Sequence, residues 1–99
     1  MSTTIIIPNY NGAHFMEPCM KALEKQTVQP DEIIVVDNGS TDGSLELLQN
    51  SYPAVRIIAN EENLGFAAAV NIGIKASTTP FVLLLNNDTE AEPGMIEHL

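Results

Sequence analysis

Three apolar runs in this sequence end directly in amide and carboxylate side chains. They are Thr4–Ile7 before Pro8-Asn9-Tyr10-Asn11, Ile33–Val36 before Asp37-Asn38-Gly39-Ser40, and Phe81–Leu85 before Asn86-Asn87-Asp88. Amides offer hydrogen-bond donors and acceptors, and a carboxylate can accept from a base or a ribose. Because parallel strands deliver their carboxyl ends to one edge of a sheet, the pattern predicts a single ligand site.

The segment Asn86-Asn87-Asp88 is a candidate metal site. One carboxylate between amides cannot hold a metal tightly by itself. With two phosphate oxygens and waters completing the shell, it can bind Mg²⁺ or Mn²⁺. The alternative is a simple turn at the end of a strand, and the segment taken alone favours that alternative.

Asp37 is the better functional candidate of the two carboxylates near the second strand. It precedes the turn at Gly39, and its spacing gives it no capping role. Asp42 is favoured as a helix N-cap, because a short acidic side chain just before a helix accepts bonds from free backbone N–H groups.

Two further loops carry ambiguous polar residues. Asn9 and Tyr10 suit a ligand contact and a turn about equally, whereas Asn11-Gly12 favours a turn. Asn63 can cap the helix that follows it, and Gly65 lets the backbone approach phosphate or another element closely.

The elements that must position these residues alternate in the order β-α-β-α-β-α-β. The predicted strands are Thr3–Pro8, Glu32–Asp37, Val55–Ala59 and Phe81–Leu85. The first helix is expected between about His14 and Lys25, the second between the candidate caps Ser40, Thr41 and Asp42 and its end at Tyr52-Pro53, and the third with Phe66, Val70, Gly73 and Ile74 on its buried face. Pro18 fits best in a first turn, so the regular first helix is expected from about Glu17. The alternation predicts one α/β domain over residues 1–99, with three layers and a mainly parallel sheet.

Composition narrows the classes of function and location. Thirteen acidic against four basic residues give a net charge of −9, which argues against a nucleic-acid partner. The single cysteine, Cys19, has helical spacing with Met16, Met20 and Leu23, so we expect a core thiol in a reducing compartment.

No apolar stretch approaches the roughly 20 residues of a membrane span, and we expect a cytoplasmic chain. A sheet that ends with the fourth strand leaves an uncovered flank, which predicts self-association or further sequence that covers it.

The combination of four motifs resembles family 2 glycosyltransferases, which have a Rossmann-like GT-A nucleotide-sugar fold. The motifs are Ile6-Ile7-Pro8-Asn9-Tyr10-Asn11, the run Ile33–Asp42, Asn63-Leu64-Gly65-Phe66, and Asn87-Asp88 in the place of the family's aspartate-x-aspartate motif. Each motif is moderately specific, and their order and spacing make the resemblance strong.

The resemblance implies a role for each matching residue. Pro8, Asn9 and Tyr10 would line the nucleotide pocket, Asp37 would bind the base, Asn63 and Gly65 would shape the wall near the ribose and phosphate, Asn87 would lie against the ribose and sugar, and Asp88 would bind Mg²⁺ or Mn²⁺. The Asn-Asn-Asp form is similar to members that act as rhamnosyltransferases, which implies a deoxysugar donor.

The implied activity is an inverting transfer from a nucleotide-diphospho-sugar to an acceptor hydroxyl, of the kind used in cell-surface polysaccharide synthesis. The acceptor would be a glycan, a lipid-linked glycan or a protein, and the full-length enzyme could sit peripherally at a membrane. The family's catalytic base is expected beyond Leu99, since Glu90, Glu92 and Glu97 follow the metal motif too closely. We therefore expect a truncated donor-binding half that is inactive alone.

Two rival functions stay open from the sequence. One is a non-catalytic nucleotide-binding or assembly module of the same fold. The other is a sugar nucleotidyltransferase, which is disfavoured because Pro8–Gly12 contains one glycine and no basic residue.

Overall fold

The computed structural model describes residues 2–97, and seven elements alternate along them. The strands are β1 (Thr3–Asn9), β2 (Glu32–Asn38), β3 (Arg56–Asn60) and β4 (Phe81–Leu84), and the helices are α1 (Ala13–Glu24), α2 (Ser44–Ser51) and α3 (Phe66–Ala76). The predicted element order is confirmed. The catalytic base that was expected beyond Leu99 lies outside the described residues.

The four strands form one parallel sheet in the order β3-β2-β1-β4. Each crossover contains a helix, as parallel neighbours require. In this register Asn9 lies opposite Asp37, so the polar ends of β1 and β2 are side by side. The end of β4 lies on the other side of β1, because Leu84 pairs with Ile6.

Side chains that alternate along β1 supply the two halves of the core. Ile5 and Ile7 pack with α1 and α2 on one face of the sheet. Ile6 packs on the opposite face in a cluster that includes Ala69 of α3. The predicted three-layer α/β/α architecture is therefore confirmed.

The first helix begins earlier than predicted. Pro18 lies inside α1, not in its first turn, and regular helix already starts at Ala13. The reason is a contact from a distant loop: Asp42 Oδ2 accepts a hydrogen bond from the backbone N–H of Ala13 at 2.9 Å. Pro18 is exposed, so its ring faces solvent where it disturbs little packing.

The predicted buried face of α3 is partly wrong. Gly73 is buried as expected, but Phe66 and Ile74 are 57% and 48% exposed, and the other buried residue of the helix is Ala69. Ala69 has a small side chain and Gly73 has none, which lets the helix approach the sheet closely, since a Cβ on Gly73 would lie 2.5 Å from Cγ2 of Ile6. The larger side chains of Phe66 and Ile74 consequently lie outside the contact between α3 and the sheet.

The unbroken apolar run Phe81–Leu85 favours a strand buried on both faces, but the structure does not bury it. Phe81, Val82 and Leu84 are 52%, 40% and 41% exposed, whereas Leu85 is buried. The cause is position in the sheet: β4 is an edge strand, and α3 packs over β1 and β2. The predicted uncovered flank is thus present within the described part of the chain.

None of the helices within residues 2–97 combines the length and apolar character needed to cross a membrane.

Candidate functional site

A cavity of about 310 Å³ opens at the carboxyl edge of the sheet. Its lining comes from the ends of β1, β2 and β4 and from the loop before α3: Pro8, Asn9, Tyr10, Asn38, Asn63, Phe66, Asn86, Asn87 and Asp88. Most of the residues singled out from the sequence therefore meet in one place. Asp37 and Gly65 are the exceptions among them, since neither lines the cavity.

Asp37 is fully buried and its carboxylate is occupied by neighbouring donors. Its Oδ1 accepts from Nδ2 of Asn9 at 2.8 Å and from the hydroxyl of Ser40 at 2.7 Å. Its Oδ2 accepts from the backbone N–H of Ser40 at 2.9 Å. The carboxylate thus ties β1 to the loop after β2 and has no exposed surface for a ligand.

Asn9 joins Asp37 to the segment that follows β4. Its Nδ2 donates to Asp37, and its Oδ1 accepts from Nδ2 of Asn87 at 2.7 Å. Asn9 is 1% exposed, and Asn87 is half-buried. Asn87 and its sequence neighbour Asp88 both line the cavity.

Asn38 is a cavity residue that the sequence reasoning missed. Successive residues of a strand point to opposite faces, so Asn38 lies on the face opposite Asp37, and there it lines the cavity. Its Oδ1 accepts from Nδ2 of Asn60 at 2.9 Å, and its Nδ2 donates to the carbonyl oxygen of Gly65 at 3.2 Å. Strict period-two reading of Val36-Asp37-Asn38 was the signal that could have found it.

Asn63 shapes the turn before α3. Its Oδ1 accepts from the backbone N–H of Gly65 at 2.8 Å, and no side-chain cap bond is present at the start of the helix. The predicted capping role is therefore replaced by closure of the turn. Gly65 has a φ of 92° and open space where a Cβ would be, so backbone conformation, not protein packing, requires glycine here.

Asp88 is an exposed carboxylate on the cavity wall, with Asn86 and Asn87 beside it. Within residues 2–97, no group of three His, Cys, Asp or Glu side chains is arranged to hold a metal. Hard oxygen donors of this kind suit Mg²⁺ or Mn²⁺ when phosphate oxygens and waters fill the remaining positions. The residues present therefore fit a divalent cation that arrives with a phosphorylated ligand.

Asp88 also acts electrostatically on the helix behind it. Burial, and secondly the negative charge of Asp88, raise the pKa of the Cys19 thiol from 9.0 to about 11. Cys19 is 1% exposed and belongs to the core, as predicted from its spacing. A buried thiol with a raised pKa is a poor nucleophile, which leaves no reactive role for it.

A larger open cleft of about 700 Å³ lies between α1 and the segment after Asp88. Glu17 and Lys21, which form an exposed ion pair at 2.9 Å, line it together with Glu90. None of the predicted site residues lies there. Glu90 therefore lines a different cleft from the one that holds Asp88.

The sequence of this chain is similar to the sequences of glycosyltransferases. The sequence profile described as Glycosyl transferase family 2 matches residues 4–99. An uncharacterized glycosyltransferase, YibD of Escherichia coli, is 37% identical over a 99-position alignment that covers 97% of this chain and 28% of that protein.

Two solved structures have the same fold over most of the chain. Staphylococcus aureus TarS 1–349 in complex with UDP has a TM-score of 0.88 at 25% identity, covering 99% of this chain and 30% of that one. The mannosyltransferase PcManGT of Pyrobaculum calidifontis, in complex with GDP-Man and Mn²⁺, has a TM-score of 0.79 at 29% identity over 87% of this chain and 27% of that one. The expected Rossmann-like GT-A architecture is confirmed.

The chain spans about a third or less of the length of these relatives. The alignment with TarS covers 99% of this chain and therefore includes the strand ends that line the cavity. With its profile match over nearly all residues, the chain belongs to glycosyl transferase family 2.

Proposed function

We propose that this chain is the donor-binding half of an inverting glycosyltransferase whose donor is a nucleotide-diphospho-sugar. The observation that carries the proposal is the cavity at the carboxyl edge of the sheet, where Pro8, Asn9, Tyr10, Asn63, Asn87 and Asp88 come together. Crevices at this edge are the usual ligand sites of open parallel sheets.

The cavity offers a separate partner for each part of such a donor. The ring of Tyr10 is 53% exposed and can stack on a nucleobase, with Pro8 beside it. The amides of Asn38, Asn63 and Asn87 offer donors and acceptors for base, ribose and sugar hydroxyls. The burial of Asp37 supports an indirect role through Asn9 instead of direct contact with the base.

Asp88 is the proposed ligand of a divalent cation, Mg²⁺ or Mn²⁺. With a net charge of −9, the chain would repel a diphosphate unless a cation lay between them. When bound, that ion neutralises the diphosphate leaving group. The mannosyltransferase complex described above contains Mn²⁺, which supports a divalent cation at this site.

The transfer itself is proposed for the longer protein. There, a base removes the proton of an acceptor hydroxyl as that oxygen attacks the anomeric carbon. The proposed acceptor class is a glycan, lipid-linked glycan or protein, and the resemblance of the Asn-Asn-Asp form to that of rhamnosyltransferases supports a deoxysugar donor. A cytoplasmic location, with peripheral attachment to a membrane, is part of the same proposal, and the single buried thiol supports a reducing compartment.

A second candidate is an assembly module that self-associates through β4. The exposed apolar side chains of Phe81, Val82 and Leu84 on an edge strand favour it, because unpaired edges are templates for another strand. Light scattering over a range of concentrations tests this point. A dimer that Val82→Lys dissociates would support self-association, and a monomer at high concentration would contradict it.

Calorimetric titration separates the two candidates. We expect one or more of UDP, dTDP and GDP to bind the chain with Mn²⁺ present and much more weakly without it. No binding of any of the three nucleotides would favour the assembly role. A sugar-transfer assay with the 99-residue chain is expected to show no turnover, and normal turnover would contradict the proposal that it is only half of the enzyme.

A further inference from the structure

We propose that Asn9 and Asn87 are positioning residues that hold Asp88 in place through a buried hydrogen-bonded chain of fixed direction. The chain runs from Ser40 and Asp37 through Asn9 to Asn87, and so joins the ends of β2, β1 and β4. This inference rests on the proposed function for its effect on ligand binding, but its geometry can be tested without a ligand.

The direction of the chain is set at its buried end. The carboxylate of Asp37 can only accept, and all three groups that contact it donate: Ser40 N–H, Ser40 O–H and Asn9 Nδ2. The amide of Asn9 must therefore turn its nitrogen to Asp37 and its oxygen to the cavity. That oxygen needs a donor, which Nδ2 of Asn87 supplies at 2.7 Å.

The hydrogen bond between Asn9 and Asn87 occupies space that is free because residue 12 is glycine. A Cβ on Gly12 would overlap Nδ2 of Asn87 and lie 2.6 Å from Oδ1 of Asn9. Gly12 has an ordinary φ of −106°, so the lack of a side chain, not an unusual backbone, is what this position requires. The side chains of Asn9 and Asn87 therefore pack directly against Gly12, the residue before α1.

A consequence follows for the residue beside the proposed metal ligand. Position 87 must donate, because a carboxylate there would place one acceptor against another at the buried Oδ1 of Asn9. An unsatisfied buried acceptor is costly, and the segment carrying Asp88 would have to move. Extra negative charge at 87 should then weaken cation-dependent binding, although charge alone would strengthen it.

The pair Asn87→Asp and Asn86→Asp tests this consequence. Both variants add one carboxylate to the same cavity wall, but Asn86 is exposed and lies outside the hydrogen-bonded chain. We expect Asn87→Asp to weaken binding of UDP, dTDP or GDP in excess MnCl₂ by about tenfold or more, the size of a lost hydrogen bond to a buried group. Asn86→Asp adds the same charge to the same wall without touching the Asn9–Asn87 hydrogen bond, so it measures the effect of charge alone, and Asn87→Asp should bind at least about tenfold more weakly than Asn86→Asp. Equal or tighter binding by Asn87→Asp would overturn the inference.

A double variant tests the direction of the chain itself. In Asp37→Asn/Asn87→Asp the buried amide at 37 can donate to Asn9, which turns over and donates to the carboxylate at 87. The net charge equals that of the wild type, so charge does not confound the comparison. We expect nucleotide affinity to return to within about threefold of the wild type, whereas independent local effects predict losses that add.

Urea unfolding supplies a readout that needs no nucleotide. It compares the wild type, the single variants Asp37→Asn and Asn87→Asp, and the double variant. We expect Asn87→Asp to raise the equilibrium constant for unfolding by about tenfold when residue 37 is Asp. When residue 37 is Asn, the same substitution should change that constant little. Additive effects would overturn the positioning chain even if nucleotides bind. Coupling without any nucleotide binding would preserve the chain and contradict the proposed function instead.

Discussion

The carboxylate of Asp42 accepts a hydrogen bond from the backbone N–H of Ala13 at 2.9 Å, which joins the loop before α2 to the start of α1. Its other oxygen accepts from the backbone N–H of Ser44 at 3.0 Å and from the Ser44 hydroxyl. Desolvation opposes ionisation, but the bonds from Ser44 and Ala13 outweigh it and lower the pKa of Asp42. One side chain therefore satisfies free N–H groups at the beginnings of two helices.

The N-cap of α2 is Gly43, not Asp42 as predicted, but Asp42 accepts from the first N–H of both helices. We expect Asp42→Ala to destabilise the chain by about 1 kcal/mol at pH 7, the usual effect of losing a side-chain bond to a helix N-terminus. Because folding lowers this pKa, the stabilisation is present above the unfolded-state value and is lost as pH falls through the folded-state value. Urea unfolding at several pH values should show the difference between variant and wild type fading below about pH 4. Glu62→Ala, which removes an exposed carboxylate on another loop, is the control. A pH-independent difference would contradict the cap.

Close packing of α3 against β1 leads to a second prediction. Gly73→Ala would place a Cβ 2.5 Å from Cγ2 of Ile6, and we expect a loss of about 1–3 kcal/mol in the free energy of unfolding from overpacking. Helix propensity alone predicts a gain of about 1 kcal/mol, so the sign of the change decides between the two effects. Chemical denaturation measures it.

Asn71→Ala is the matched control on the same helix. Asn71 is exposed, so we expect this variant to be neutral or slightly stabilising through its better helix propensity. If Gly73→Ala were equally stabilising, the close contact between Gly73 and Ile6 would be excluded.

Cys19 supports a third prediction. Its thiol has a pKa raised from 9.0 to about 11 by burial and by Asp88. A raised pKa means that stability is intact below pH 9 and falls as pH rises towards 11, by about 2–3 kcal/mol for this one group. The wild type should therefore lose stability across this range relative to Cys19→Ala. Parallel curves for the two proteins would show that the thiol ionises as freely in the folded state as in the unfolded state.

Labelling with a thiol reagent at pH 8 checks the same burial independently. We expect the native chain to react more than about a hundredfold more slowly than the chain in urea, since the thiol is reached only through opening of the core. Similar rates in the two states would place Cys19 at the surface.

Much of the architecture was predictable because alternation of apolar runs and helical patterns is a local property. The four strands, their order along the chain and the three layers all followed from it. The start of α1 did not, because its first N–H is capped by Asp42 from another loop. A local rule about Pro18 consequently gave the wrong boundary.

The buried face of α3 shows a second limit of sequence patterns. Phe66 and Ile74 fit an apolar stripe as well as Ala69 does, and only the close approach at Gly73 selects the smaller residues for the contact. In the site, spacing identified the strand-end segments correctly. It could not tell that Asp37 is enclosed by Asn9 and Ser40, since that depends on the register between β1 and β2.

Titration of the wild type and Asp88→Asn with nucleotides in excess MnCl₂ tests the central claim most directly, with Glu90→Gln as a control of equal charge change in the other cleft. We expect UDP, dTDP or GDP to bind the wild type and Glu90→Gln alike, and Asp88→Asn at least about tenfold more weakly, as loss of a carboxylate ligand to the cation requires. Absence of binding to the wild type, or undiminished Mn²⁺-dependent binding by Asp88→Asn, would contradict the account.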